Sequence, residues 1–369
     1  MHGTEIIKYF EEWAPPGTAW KDDNVGIQVG TKDVKIKNIL LALELNHKVL
    51  SQAIKKNCNF IFTHHPFIFS PLKKLDFTNN PKAAIIRELI KNDITLYSAH
   101  TNLDFTKDGV SFELAKKLKL KNIEFLVNQD SNQYKLVVFV PLDDVSEISD
   151  AIFNAGGGII GEYQKCSSQI IGEGTFEGSE NSNPHAGKKN TFETVIEVRL
   201  EILVDSWKLD SVIKAMKDVH PYEEPAYDIY RLKNENINYG YGAIGDLENS
   251  MKVDEFLSHI KVNLGASALR YAKGSGKKIR KIAVCGGSCS DLMNSAISSK
   301  ADAFITADIK YHTFQDAEDK ILLVDAGHYE TEILILDSVK ARLTSLVKNR
   351  NIKIFKYNGS TNPIKFYNN

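Results

Sequence analysis

Hydrophobic and polar positions along this chain alternate between two periods. Near the start, Ile6, Phe10 and Trp13 recur at helical spacing, with Thr4 placed as the N-cap. Residues 38–43 (NILLAL) read as a buried strand. Residues 47–57 read as a helix with Leu50 and Ile54 inward, and residues 60–63 (FIFT) as a second strand. Residues 80–91 are helical, with Pro81 at the first position, where its missing N–H is no loss. Residues 94–98 (ITLYS) form a third strand. Alternation of this kind builds βαβ units and a largely parallel sheet.

The tail repeats the grammar. Strands at 281–285, 303–306 and 321–325 alternate with a helix at 291–299 and another after the last strand. The helix followed by AFIT at 291–306 parallels the helix followed by FIFT at 48–63, so the two ends read as halves of one domain. The middle differs, with strands at 134–141 and 195–203 and helices at 145–155 and 206–219. Its order of strand, helix, strand, strand, helix, strand predicts a ferredoxin-like α+β module. Polar, Asn-rich stretches at 128–133 and 233–238 bound it. The expected organisation is therefore a discontinuous two-half α/β core with largely parallel sheets (1–129 and 233–369) and an inserted domain (130–232).

Bulk properties narrow the function. Of 369 residues, 46 are Lys or Arg and 47 Asp or Glu, a near balance that disfavours a large phosphate-binding face and hence nucleic acid. The basic run at 273–281 (KGSGKKIRK) reads as a solvated loop. No apolar run reaches the length of a membrane span, and the first residues form a helix with no signal-peptide pattern. Four cysteines (Cys58, Cys166, Cys285 and Cys289) show no disulfide framework. A cytoplasmic chain without membrane partners is the expectation.

Candidate chemistry gathers after predicted strands. Thr63-His64-His65-Pro66 follows one, and Pro66 keeps His65 extended, so the two imidazoles point apart and each serves one ion of a pair. Asp104 lies past another strand, with His100 four residues before it in an expected loop. His328 and Glu332 follow a third strand and share one helix face. Imidazoles with carboxylates suit zinc, manganese or ferrous iron. Asp308 and His312 also follow a strand and are placed to line the site. Gly286-Gly287 reads as a tight turn, since the phosphate-loop spacing and its lysine are missing. The segment HPYEEPAY (220–227) reads as a rigid turn with a packing surface.

These segments resemble the Nif-three-like dinuclear-metal family, whose members are often called GTP cyclohydrolase 1 type 2 homologues. The resemblance is carried by DDNVGIQVG (22–30), THHP (63–66), YSAHTNLD (97–104), TADIKYH (306–312) and GHYETE (327–332), in the family's order over nearly the whole chain. It implies that His64, His65, Asp104, His328 and Glu332 hold two divalent metal ions, with zinc expected first and manganese or iron next. The middle resembles the inserted PII/CutA-like domain of longer members, through GGG (156–158), GEGTF (172–176) and HPYEEPAY. Cys289 and Ala307 stand where the family usually has glycine. The resemblance further implies a homohexameric ring and a small-molecule, possibly nucleotide, substrate. Two functions follow: a metal-dependent hydrolase with His312 or His100 as proton-transfer group, or a non-catalytic metal- or ligand-responsive binding protein.

Overall fold

The computed structural model describes residues 1–276 and 278–367. Helix α1 (Gly3–Trp13) leads to strands β1 (Gly26–Val29) and β2 (Asn38–Ala42). Then come α2 (His47–Lys55), β3 (Phe60–Thr63), α3 (Pro81–Lys91), β4 (Thr95–Ser98), the one-turn α4 (Thr101–Asp104), α5 (Val110–Lys117) and β5 (Lys121–Gln129). Next follow β6 (Gln133–Pro141), α6 (Val145–Asn154), β7 (Ser167–Glu177), β8 (Phe192–Asp205), α7 (Leu209–Val219) and β9 (Tyr227–Arg231). The chain continues through β10 (Asn236–Lys252), α8 (Val253–Leu264), β11 (Arg270–Ala272), β12 (Lys278–Val284), α9 (Met293–Ser298) and β13 (Ala303–Thr306). It closes with α10 (Tyr311–Ala317), β14 (Leu322–Asp325), α11 (His328–Glu332), α12 (Ile335–Leu346) and β15 (Lys353–Lys356).

The result is a mixed α/β chain with several sheets, parallel and antiparallel. It divides into two units: Met1–Asn128 with Tyr239–Asn369, and Gln129–Asn238. The first unit holds two sheets. In one, ordered β1-β4-β3-β2-β15, the last four strands are parallel and β1 is antiparallel. In the other, ordered β11-β14-β13-β12-β10-β5, strands β12, β13 and β14 are parallel, and β10 and β11 run against them. The FIFT and AFIT strands, β3 and β13, are fully buried and lie inside their respective sheets. Strands buried on both faces read as continuous apolar runs, which is why both were visible in the sequence.

Helix starts follow from side-chain chemistry. The Asn46 and Asn80 carboxamides each accept two backbone N–H bonds at the N-termini of α2 and α3. The first helix corrects an expectation: His2, not Thr4, precedes it, because Gly3 N–H is bonded to Val34 O and the chain is already anchored there. Thr4 instead donates its hydroxyl to Lys32 O. A second correction concerns α2, which buries Val49, Leu50 and Ala53 and leaves Ile54 facing out. Helix α5 ties the two sheets of this unit together. Its Val110 joins the cluster around Phe10, Phe62 and Tyr97, while Phe112, Leu114 and Leu118 join that around Phe256, Ile282 and Val324. Truncating such a residue to Ala costs about 2–5 kcal/mol.

In the second unit, strands β7-β8-β6-β9 form an antiparallel sheet, and α6 and α7 bury Ile148, Ile152, Val212 and Met216 against it. The basic run expected as a loop is only partly one. Lys278, Arg280 and Lys281 belong to β12, whereas Lys277 lies outside the described residues. Among the described residues no helix is long and apolar enough to cross a membrane.

Candidate metal centre

The carboxyl ends of parallel strands deliver the site, as loops there are free of ladder hydrogen bonds. His64 and His65 follow β3, His100 and Asp104 follow β4, and His328 and Glu332 occupy α11 after β14. Asp104 closes the one-turn α4, so this stretch is helical and not the loop expected.

Each imidazole is oriented by a bond from its Nδ1. His64 donates to Ala99 O at 2.8 Å, and His65 to Glu44 Oε1 at 3.1 Å. His100 donates to the Asp23 carboxylate at 2.9 Å, and His328 to Asp308 Oδ2 at 2.6 Å. A ring that donates from Nδ1 presents the lone pair of Nε2 when it is neutral, and orienting partners of this kind are typical around metal-bound histidines. Three of these Nε2 atoms face buried carboxylates. His65 Nε2 and His328 Nε2 stand 2.9 and 3.1 Å from Glu332 Oε2 and 3.4 Å from each other. His64 Nε2 lies 3.5 Å from Asp104 Oδ1 and 4.0 Å from Glu332 Oε1.

These groups fit a divalent ion. Donor atoms bound at about 2.0–2.2 Å to one ion stand roughly 3–3.4 Å apart, the spacing found for His65, His328 and Glu332. The buried His64 Nε2 and Asp104 Oδ1 have no hydrogen-bond partner. Donor atoms of His64, His65 and His100 make a second group, all within 4.8 Å of one another. His65 is common to both groups, and Glu332 offers one oxygen towards each side. Asp104 reaches His64 but belongs to neither three-donor group.

Without an ion, protons organise the same atoms. Burial opposes charge on His65, but the Glu332 and Glu44 carboxylates outweigh it and push its pKa up to about 10. On His328, Glu332 and Asp308 overcome burial in the same way, up to about 9. Burial drives His64 down to about 3, so it stays neutral. Glu332 is held below the usual carboxylate range by His328 and His65 in spite of its burial, while burial raises Asp104. Asp23 is buried too, yet bonds from His100 and Thr101 keep it below its usual value.

The turn after β12 completes the cradle. Gly287 has φ +68°, and a Cβ there would sit 2.2 Å from Glu332 Oε1, so glycine is required by conformation and by space. The two departures from the family pattern do no harm. Cys289 has φ −127° and takes a bond from its N–H to Thr306 Oγ1, and buried Ala307 bonds Gly287 O.

His312 is a correction. It lies exposed on α10, with Nδ1 on Gln315 Oε1, and belongs to neither donor group nor the wall of the adjoining cavity. Its neighbour Asp308, four residues earlier, is the one that reaches the site. Glu44 was missed altogether, although it follows the carboxyl end of β2 as the other site residues follow their strands.

Fold and site together define an α/β protein with a His/Glu group able to bind a metal ion. The chain belongs to the Duf34/NIF3 (NGG1p interacting factor 3) family, which residues 1–363 match. It is similar to the GTP cyclohydrolase 1 type 2 homolog of Halalkalibacterium halodurans, 39% identical over 95% of this chain and 94% of that one. The Bacillus subtilis protein of the same name is 35% identical over 99% of both. Among solved structures, a Bacillus cereus protein related to NIF3 superposes with a TM-score of 0.84 at 36% identity, covering 100% of this chain and 99% of that one.

Proposed function

We propose that this protein is a metal-dependent hydrolase of a nucleotide or related small molecule, working with two divalent ions. His64, His65, Asp104, His328 and Glu332 would hold them, with Glu332 between the two donor groups. The observation that carries this reading is the convergence of buried acceptors: His64 Nε2 and Asp104 Oδ1 have no hydrogen-bond partner, and Glu332 Oε2 faces the Nε2 atoms of His65 and His328. An unpaired buried polar group costs about 1–3 kcal/mol, which a cation relieves. When bound, paired divalent ions supply Lewis acidity and lower the pKa of water, with zinc, manganese or ferrous iron suited to these donors. The chain's own part is to orient the ring nitrogens through Glu44, Asp23 and Asp308, to keep His64 neutral, and to hold a proton acceptor, His100, beside the cavity. The names of the relatives support a hydrolase direction.

The second unit is read as an inserted ferredoxin-like domain of the PII/CutA kind. Numbered within the unit, its strands lie in the order 2-3-1-4 with the two helices as crossovers, which supports that reading. A homohexameric ring is proposed as the assembly, and light scattering of the purified chain checks it.

The deciding experiment is a turnover assay over nucleotides and phosphoesters with metal-loaded, metal-stripped and Glu332→Ala protein. Turnover that vanishes on chelation and returns with zinc, manganese or ferrous iron supports the hydrolase. Turnover that persists in metal-stripped Glu332→Ala protein belongs to another site, and the binding-protein reading then takes its place.

A further inference from the structure

Beside the donor groups lies a cavity of about 400 Å³ that opens onto His100, Asp104, His328 and Glu332. Part of its wall is aromatic: Trp20, Phe105 and Tyr241. Phe105 is the middle ring, 5.5 Å from Trp20 at 59° and 4.6 Å from Tyr241 at 74°. Trp20 nevertheless remains 55% exposed, and its backbone N–H is pinned to Thr101 Oγ1 at 3.1 Å. A large aromatic side chain on an anchored stretch of backbone, at a cavity wall and left half in water, offers a flat face to a ligand.

Charge decides which ligand. Among the described residues lining the cavity there is no Lys or Arg, while Asp104, Asp291 and Glu332 all contribute. Glu44, Asp23 and Asp308 stand directly behind the histidines. Two divalent ions bring four positive charges against these six carboxylates, so even the loaded site stays short of positive charge. The glycine turn gives no anion cradle either. Gly286 N–H is engaged by Ser111 Oγ, Gly287 N–H by Thr331 Oγ1 and Cys289 N–H by Thr306 Oγ1. Among the described lining residues a phosphate chain meets no Arg or Lys, and the N–H groups of Gly286, Gly287 and Cys289 are already taken, so the protein itself offers it little.

We propose that this cavity binds an uncharged planar heteroaromatic ring of nucleobase type, stacked on Trp20, and gains nothing from a phosphate chain. The inference rests on the reading of the donor groups as a metal centre acting on a small molecule, and it narrows that molecule's class to nucleoside-like compounds.

Calorimetric titration of the zinc-loaded full-length protein with guanosine, guanosine triphosphate and inorganic triphosphate tests it, with metal content measured after each run. Guanosine is expected to bind at least as tightly as guanosine triphosphate. Trp20→Ala should weaken guanosine about ten-fold or more with metal content unchanged, and Trp20→Phe should restore most of the affinity, as stacking requires. The proposal is overturned by ten-fold tighter binding of guanosine triphosphate to protein that keeps its metal. It is equally overturned by no guanosine binding at millimolar concentration, or by unchanged guanosine affinity in Trp20→Ala. The two readings fail separately. Trp20-dependent guanosine binding without turnover of any substrate removes the hydrolase and leaves this inference. Tight, productive binding of guanosine triphosphate does the reverse.

Discussion

His65 Nε2 and His328 Nε2 face each other at 3.4 Å although 263 residues separate them in the chain. Each ring is held from behind by a carboxylate, Glu44 for His65 and Asp308 for His328. The strand ends of two separate sheets therefore meet at Glu332, and the consequences can be measured one at a time.

Metal content comes first. Protein purified without chelators should carry about two divalent ions per chain. Elemental analysis of Glu332→Ala should show most of that metal gone with the circular dichroism spectrum retained, because Glu332 approaches both donor groups. One ion or fewer in the unaltered protein would contradict the paired site.

The carboxylates behind the rings should matter without touching metal. Glu44→Gln and Asp308→Asn are each expected to weaken metal binding by about 10–100-fold, the usual cost of losing such a partner. Competition with a chromogenic chelator reads this out. Unchanged affinity in both variants would mean the rings are oriented by packing alone.

Metal uptake should release protons. In the metal-free protein, the folded pKa values of about 10 for His65 and 9 for His328 lie above the ordinary imidazole value of 6.5. Their stabilisation of that state is complete below about pH 6.5 and is lost as pH rises through 9 to 10. Coordination needs both rings neutral, so raising pH favours the loaded form over the same range. Calorimetry at pH 7.5 in buffers of different ionisation enthalpy should report about two protons released per loaded chain, a number that falls as pH rises through 9 to 10. Uptake without proton release would remove the proposed role of these two rings.

His100 and His312 should separate. His312→Ala is expected to leave metal content and rate within about two-fold, since its imidazole stands on an exposed helix face. His100→Gln should slow turnover by about 10²–10⁴-fold, and elemental analysis of the variant tells lost proton transfer, with metal kept, from the loss of a donor of the second group, with metal reduced. Equal effects from the two would show that His312 acts on the site in spite of its place on the exposed face of α10.

The second unit should be removable. Gly240 lies against Val127 O, so the chain leaves and re-enters the first unit at neighbouring points. Replacing residues 129–238 by a short Gly/Ser linker should give a soluble product that still binds metal. An aggregated or metal-free product would show that these residues are needed for folding.

The parts of this protein that were legible in the sequence are those fixed by local chemistry. The apolar runs FIFT and AFIT, flanked by amphipathic helices, announced parallel strands, and histidines directly after them pointed to strand ends where ligands gather. What stayed hidden depends on distant chain. Glu44 looks like any surface glutamate until β2 and β3 lie side by side and bring it to His65. His312 shares a motif with Asp308, but the left-handed backbone at Asp308 (φ +54°) and the start of α10 send the two side chains to different places. Thr4 fits the rule for a helix cap and loses the position because the backbone pairing of His2 with Lys35 begins the helix earlier.

Strand β15 (Lys353–Lys356) lies parallel to β2 at the edge of the first sheet, and α12 packs its Ile335, Leu336, Val339 and Leu343 into the same core. Of the two sheets in this unit, the one begun first is thus finished last, for its edge strand β15 follows every strand of the other sheet. A nascent chain stalled even late in synthesis exposes β2 as an open edge and leaves a gap where α12 belongs, which makes it sticky and easily recognised by chaperones and proteases. His328 and Glu332 arrive only shortly before, on α11 after β14, so metal capture waits until every strand of the second sheet has been made.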